Sequence, residues 1–166
     1  MNPDRPAAQE TAQKNPTLKD MRVFAEHLLA RREYAVGELH ARLLQKWSGL
    51  AQIETQVTEL LSTLQADGAL SDERFAESFI RSRLMRCHGP VKIRAELRQR
   101  RVPDAVIAGK LQQLENDWAG LAAAWLSRQC KGPIDFAARA KYYRRLTNRG
   151  FSHEQAMEAL SRQAQS

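Results

Sequence analysis

The sequence predicts an all-α fold, an elongated array of three tandem three-helix units of helix-turn-helix type. Three observations carry that expectation. Apolar residues recur at three- and four-residue spacing along the chain, and no sustained alternating run bounded by hairpin turns interrupts them. The phrase Cys-x-Gly-Pro-(Val/Ile) occurs twice, as CHGPVKI from Cys87 and CKGPIDF from Cys130, 43 residues apart. A second pair of equivalent positions, Val102 and Phe151, lies 49 residues apart, so the third unit holds about six extra residues in or beside its middle helix.

Taken in order, residues 1–16 (MNPDRPAAQETAQKNP) hold three Pro and balanced charge, and read as a flexible tail. The first unit spans 17–68. Thr17 caps a helix with Asp20 in capping-box position, and Met21, Phe24, Ala25, Leu28 and Leu29 form one face. Leu39, Leu43 and Leu44 mark a second helix, ended by Trp47-Ser48-Gly49. Val57, Leu60, Leu61 and Leu64 mark a third, stopped at Asp67-Gly68.

The second unit spans 69–115. Ser71 caps a helix with Asp72 and Glu73 in its first turn, where acids favour the helix dipole. Its apolar side carries Phe75, Ala76, Phe79, Ile80 and Leu84. Pro90 suits the first turn of the next helix, which turns Ile93 and Leu97 inward. Val102-Pro103-Asp104 opens the third, with Val106, Ile107, Leu111 and Leu114. The third unit spans 116–166. It repeats the pattern with Leu121, Ala122, Trp125 and Leu126, then Gly132-Pro133, then an apolar side of Phe136, Tyr142, Tyr143 and Leu146. Gly150 stops that helix, and Ser152 with Gln155 forms a capping box ahead of Ala156, Met157 and Leu160. Gly-Pro thus reads as the joint between the first and second helices of a repeated unit. Each unit is too small to stand alone, so stacking on a neighbour is expected.

Composition excludes several functions. With 43% hydrophobic and 27% charged residues the chain reads as folded and soluble. No stretch approaches the roughly 18 apolar residues of a membrane span, and the start lacks a secretory apolar core. A cytoplasmic chain with reduced thiols is expected. Cys87 adjoins His88, but His27, His40 and His153 are scattered, so neither a metal site nor a thiol nucleophile is expected at Cys87 or Cys130. There is no phosphate-cradling Gly-rich loop, paired-carboxylate setting or nucleophile motif, and hence no enzyme and no cofactor is expected. Trp47, Trp118 and Trp125 are read as packing residues; the last two lie seven apart on one helix face.

The charge is focused. Eight basic residues and the single acid Glu96 lie between Arg81 and Arg101; five basic residues and no acid lie between Arg139 and Arg149. Those segments hold +7 and +5, which leaves −5 on the remainder of a chain whose formal total is +7. Such focusing favours a surface that meets a polyanion. The candidate contact residues are Arg81, Arg83, Arg86, Lys92, Arg94, Arg98, Arg101, Lys141, Arg144, Arg145 and Arg149. On a projection at about 100° per residue, Lys141, Arg144, Arg145 and Asn148 share one face opposite the apolar side. Arg94, Arg98 and Arg101 follow i, i+4 and i+7, a ridge that suits a phosphate backbone or an acidic groove. Arg83 falls inside the apolar arc of its helix, where snorkelling and pairing with an acid compete with partner contact.

The run GALSDERFAESFIRSRLMRCHGPVKIRAEL closely resembles the signature of the RecX family. Gly68, Leu70, Asp72, Arg74, Phe75, Ala76, Phe79, Arg83, Gly89, Pro90, Ile93, Glu96 and Leu97 fill that pattern in order. The likeness extends more weakly over about residues 18 to 160. Arg101 departs from it, standing where the family usually has Gly. The resemblance implies a bacterial, cytoplasmic regulator of the RecA recombinase, involved in DNA recombination, repair and the SOS response. It implies binding to the RecA–DNA filament on single- or double-stranded DNA, and inhibition of ATPase and strand exchange; a monomer with no membrane contact is expected. An autonomous helix-turn-helix DNA-binding protein is the alternative. A base reader would want Asn, Gln or Arg early in a recognition helix, and only Gln155 stands there.

Overall fold

The computed structural model describes residues 16–114, 117–130, 132 and 134–164. Regular structure among them is entirely helical: α1 (Leu18–Leu29), α2 (Val36–Lys46) and α3 (Ile53–Ala66), then α4 (Asp72–Met85), α5 (Pro90–Gln99) and α6 (Asp104–Gln112), then α7 (Trp118–Gln129), α8 (Phe136–Asn148) and α9 (His153–Ala164). The closely packed helix pairs all fall within one triplet, such as α1 with α3, α4 with α6 and α7 with α9. No helix among the described residues is long and apolar enough to cross a membrane. The tail expected over 1–16 lies outside the described residues except for Pro16.

Each first helix starts at a side-chain cap. Thr17 Oγ1 accepts from the Asp20 amide, Ser71 Oγ from that of Arg74, and Asp117 Oδ1 from that of Gly120. Such caps contribute about 1 kcal/mol. Three separate cores follow. Met21, Ala25 and Leu28 meet Leu39, Leu43, Val57, Leu60, Leu61 and Leu64 in the first. Phe75, Ala76 and Ile80 meet Ile93, Leu97, Ile107 and Leu111 in the second. Ala122, Trp125 and Leu126 meet Leu146, Phe151, Ala156, Ala159 and Leu160 in the third. Each fully buried Leu or Ile adds roughly 2 kcal/mol. The tryptophans pack: Trp47 lies edge-on to Phe24 at 5.4 Å, Trp125 is buried, and Trp118 touches both the second and third cores.

The turn between second and third helices is built alike in units two and three. The Val102 amide donates to Leu97 O, and the Phe151 amide to Leu146 O, each at 3.2 Å. That bond closes a Schellman turn, which needs a left-handed residue just before it. Gly150 supplies one at φ +87°, and Arg101 at φ +61°. Glycine adopts this shape freely; for arginine it costs roughly 1–2 kcal/mol. Arg101 therefore keeps the glycine geometry although it lacks the glycine.

Those turns are also where units join. The N-termini of α2 and α5 dock on the unit that follows each of them. At the first joint, Ala35 enters the second core, the Val36 amide donates to Asp72 Oδ1 at 2.9 Å, and Gly37 lies against Arg101. At the second, Cys87 enters the third core, and the Gly89 and Val91 amides donate to Arg149 O and Gly150 O at 2.8 and 3.0 Å. Neither α2 nor α5 has a side-chain cap of its own. The next unit supplies their acceptors.

Helix α8 differs, and one expectation changes with it. Asp135 caps α8, its Oδ1 accepting from the Ala138 amide at 2.6 Å. The inserted residues lie partly before the helix and partly within it, since α8 has 13 residues against 10 in α5. Phe136 does not face inward. It is 93% exposed at the first residue of α8.

Candidate functional site

Lys141, Arg144, Arg145 and Asn148 all project from the exposed side of α8, while Leu146 is buried and Tyr142 and Tyr143 are half-buried. The projected face is thus reproduced. No carboxylate among the described residues pairs with Arg139, Lys141, Arg144 or Arg145. Aromatic rings neighbour Lys141 and Arg145 instead. The Arg145 and Arg149 guanidinium groups lie 5.4 and 4.6 Å from the Trp125 ring centre, and Lys141 lies 5.9 Å from that of Tyr142. Ring faces attract cations without neutralising them. Like charges one turn apart cost about 0.2–0.5 kcal/mol a pair, which a bound polyanion would relieve.

The second ridge is less free. Arg94 and Arg101 are exposed and form no ion pair among the described residues, but Arg98 Nε lies 2.6 Å from Asp104 Oδ1. That contact raises the Arg98 pKa, and Arg98 holds the Asp104 carboxyl below its ordinary value. Arg81 pairs with Glu77 at 3.2 Å. Both acids lie outside the acid-poor window, so counting charge along the chain missed them.

Arg83 is internal. Its Nε meets Glu96 Oε2 at 2.5 Å, with both side chains largely covered, and its guanidinium lies 4.4 Å from the Phe79 ring centre. It clamps α4 to α5 and leaves the set of freely outward cations. Lys92 and Arg149 belong to the second joint: Lys92 packs on Gly150, and Arg149 Nη1 donates to Arg86 O at 2.8 Å. Arg86 itself is exposed without an ion pair among the described residues. His88 sits there too, its pKa lowered by burial and then by the charge of Lys92. Arg100, absent from the candidates, ties units one and two through Glu38 at 2.9 Å. Only its partner 62 residues away could have revealed that role.

The third helices turn acids outward, with Glu154 and Glu158 exposed on α9. Gln155 is engaged at its own helix start, Oε1 accepting from the Ser152 amide at 2.9 Å. No group of three metal-ligating side chains occurs among the described residues.

Three helical triplets in series, joined turn to helix and carrying cations unopposed by any described carboxylate on one middle helix, define a tandem helical-repeat protein with a basic surface. The model of the second three-helix domain of RecX matches residues 71–111. The regulatory protein RecX of Chromohalobacter salexigens is 41% identical over 138 residues, covering 82% of this chain and 88% of that one. RecX of Pseudomonas fluorescens is 40% identical over 148 residues, covering 87% and 92%. The crystal structure of RecX from Lactobacillus salivarius superposes with a TM-score of 0.76 at 15% identity, over 90% of this chain and 97% of that one. The chain belongs to the RecX family of regulatory proteins.

Proposed function

We propose that this chain regulates the RecA recombinase in the bacterial cytoplasm, binding the RecA–DNA filament as a monomer and restraining its ATPase and strand exchange in DNA recombination and repair. The observation that carries this reading is the α8 face: Lys141, Arg144 and Arg145 stand exposed with no carboxylate partner among the described residues. Arg86, Arg94 and Arg101 extend the free positive surface onto the second unit. Several weak contacts spaced along serial units act together on a repeating partner. Autonomous base reading is less well supported, because α9 presents Glu154 and Glu158 where a duplex would bring phosphates.

The test is the ATPase of RecA on single-stranded DNA with increasing amounts of the full chain. A falling rate is expected, relieved in Lys141→Glu/Arg144→Glu/Arg145→Glu. An unchanged rate across a large excess of the chain would overturn the proposal.

A further inference from the structure

The groove between α8 and α9 shares Arg144 with the basic face of α8 but adds apolar walls that phosphate contact does not call for. Phe136 stands at its mouth with 93% of its surface exposed, although burying a Phe is worth roughly 2–3 kcal/mol. The groove encloses about 340 Å³ and is lined by Phe136, Arg139, Ala140, Arg144, Met157 and Leu160, together with Tyr143. That volume is near the lower end of the range for ligand sites, about 300–1,000 Å³, and admits one or two large side chains. Phe136, Arg139, Ala140, Tyr143 and Arg144 follow i, i+3, i+4, i+7 and i+8, so aromatic, apolar and basic groups share one stripe. Neither arginine pairs with a carboxylate among the described residues.

The geometry points to a docking site for an acidic protein segment, which inserts one aliphatic or aromatic side chain beside Phe136 and sets carboxylates on Arg139 and Arg144. Charge complementarity selects the acid: both charged groups of the groove are arginines, whose planar forks suit carboxylates. The apolar walls select the anchor, and Met157 adapts to its shape. A nucleic-acid base is the poorer occupant. Met157 and Leu160 offer no flat ring, and the Tyr143 hydroxyl is held by His153 Nδ1 at 2.9 Å, so successive bases would find Phe136 alone to stack on. The proposal deepens the regulator reading by naming the chemistry of a partner surface, and it rests on that reading for its biological setting.

Binding is measured without recombinase, so the two ideas fail separately. The full chain is titrated with a labelled acidic peptide of Asp and Glu carrying one central Leu, with the same peptide carrying Ser instead, and with oligothymidylate. The Leu peptide is expected to bind about tenfold or more tightly than the Ser peptide, and Phe136→Ser or Met157→Glu should each erase that difference without loss of helix content. Equal binding of the two peptides, or none, overturns the docking site. A loss in Phe136→Ser confined to oligothymidylate assigns the groove to single-stranded nucleic acid and also rejects it. If inhibition of the RecA ATPase persists in either case, the regulator reading stands.

Discussion

Gly89 and Gly150 meet backbone to backbone: a Cβ built on Gly89 would lie 2.2 Å from the Gly150 carbonyl oxygen. The amides of Gly89 and Val91 donate into the same turn, so the absence of a side chain lets the second and third units share hydrogen bonds. Gly89→Ala should therefore force the joint open, at about 1–3 kcal/mol as for other overpacked sites. Urea unfolding measures the loss, and small-angle scattering should show a larger radius as the units part. An unchanged midpoint would mean that the joint does not couple the units.

At the first joint the small residue is Gly37, and the group it meets is a side chain. A Cβ on Gly37 would lie 2.4 Å from the Arg101 Cβ, with the Arg101 carbonyl oxygen at 3.1 Å. Gly37→Ala alone should destabilise the chain by about 1–3 kcal/mol. Arg101→Gly alone should be neutral or stabilise by up to about 1 kcal/mol, since it removes left-handed strain. The pair should be non-additive, with Arg101→Gly rescuing most of Gly37→Ala. Additive melting shifts would show that the two positions do not touch.

The Arg83–Glu96 pair spans α4 and α5 with 17% and 23% of the two side chains exposed. Arg83→Met should cost about 1–3 kcal/mol by stranding a half-covered carboxylate. Arg83→Met/Glu96→Leu should recover most of that, since both charges then leave a mainly apolar site. Chemical unfolding of the three variants closes the double-mutant cycle. A double variant weaker than Arg83→Met would assign the loss to packing instead.

The repeat was readable because its punctuation is local. Thr17, Ser71 and the Ser152–Gln155 box each satisfy amides within three residues, and Leu39, Leu43, Ile93 and Leu97 declare their faces by spacing alone. What spacing could not show was anything whose partner lies far along the chain. Arg100 with Glu38 is such a case, and so is Ala35 inside the second core. Arg98 was misjudged for a nearer reason: Asp104 lies six residues on, across a turn that brings the two together. Phe136 was misplaced because spacing shows which side of a helix a residue takes, not whether a neighbour covers its first residue.

Acid should loosen the third unit first at its α7–α9 clasp. Asp117 is held below its ordinary pKa by hydrogen bonding to Arg162, then by the Gly120 amide. A depressed carboxylate contributes stability above its unfolded value, about 3.9, and loses it as pH falls through the lower folded value. Asp117→Asn keeps a cap acceptor but drops the charge. The stability gap between the natural chain and this variant should stay constant from neutral pH to about pH 5, then narrow as Asp117 protonates. A gap that persisted well below pH 3 would show that the charge is not its source.

The salt dependence of binding separates the two anions that the α8 face could meet. Lys141, Arg144 and Arg145 are exposed and lie off the buried side of the helix, so reversing all three to Glu should leave helix content and melting nearly unchanged. If they contact phosphates, each lost contact should flatten the log–log dependence of affinity on salt by roughly 0.9 for duplex DNA, or about 0.7 for a single strand. If they contact carboxylates on the recombinase, DNA affinity should keep its slope while inhibition of the ATPase weakens. The corresponding reversal of Arg94, Arg98 and Arg101 should act less cleanly. Arg98→Glu also sets two acids against each other at Asp104, so part of its effect should appear as lost stability. Full inhibition by both triple variants would remove the basic surfaces from the mechanism.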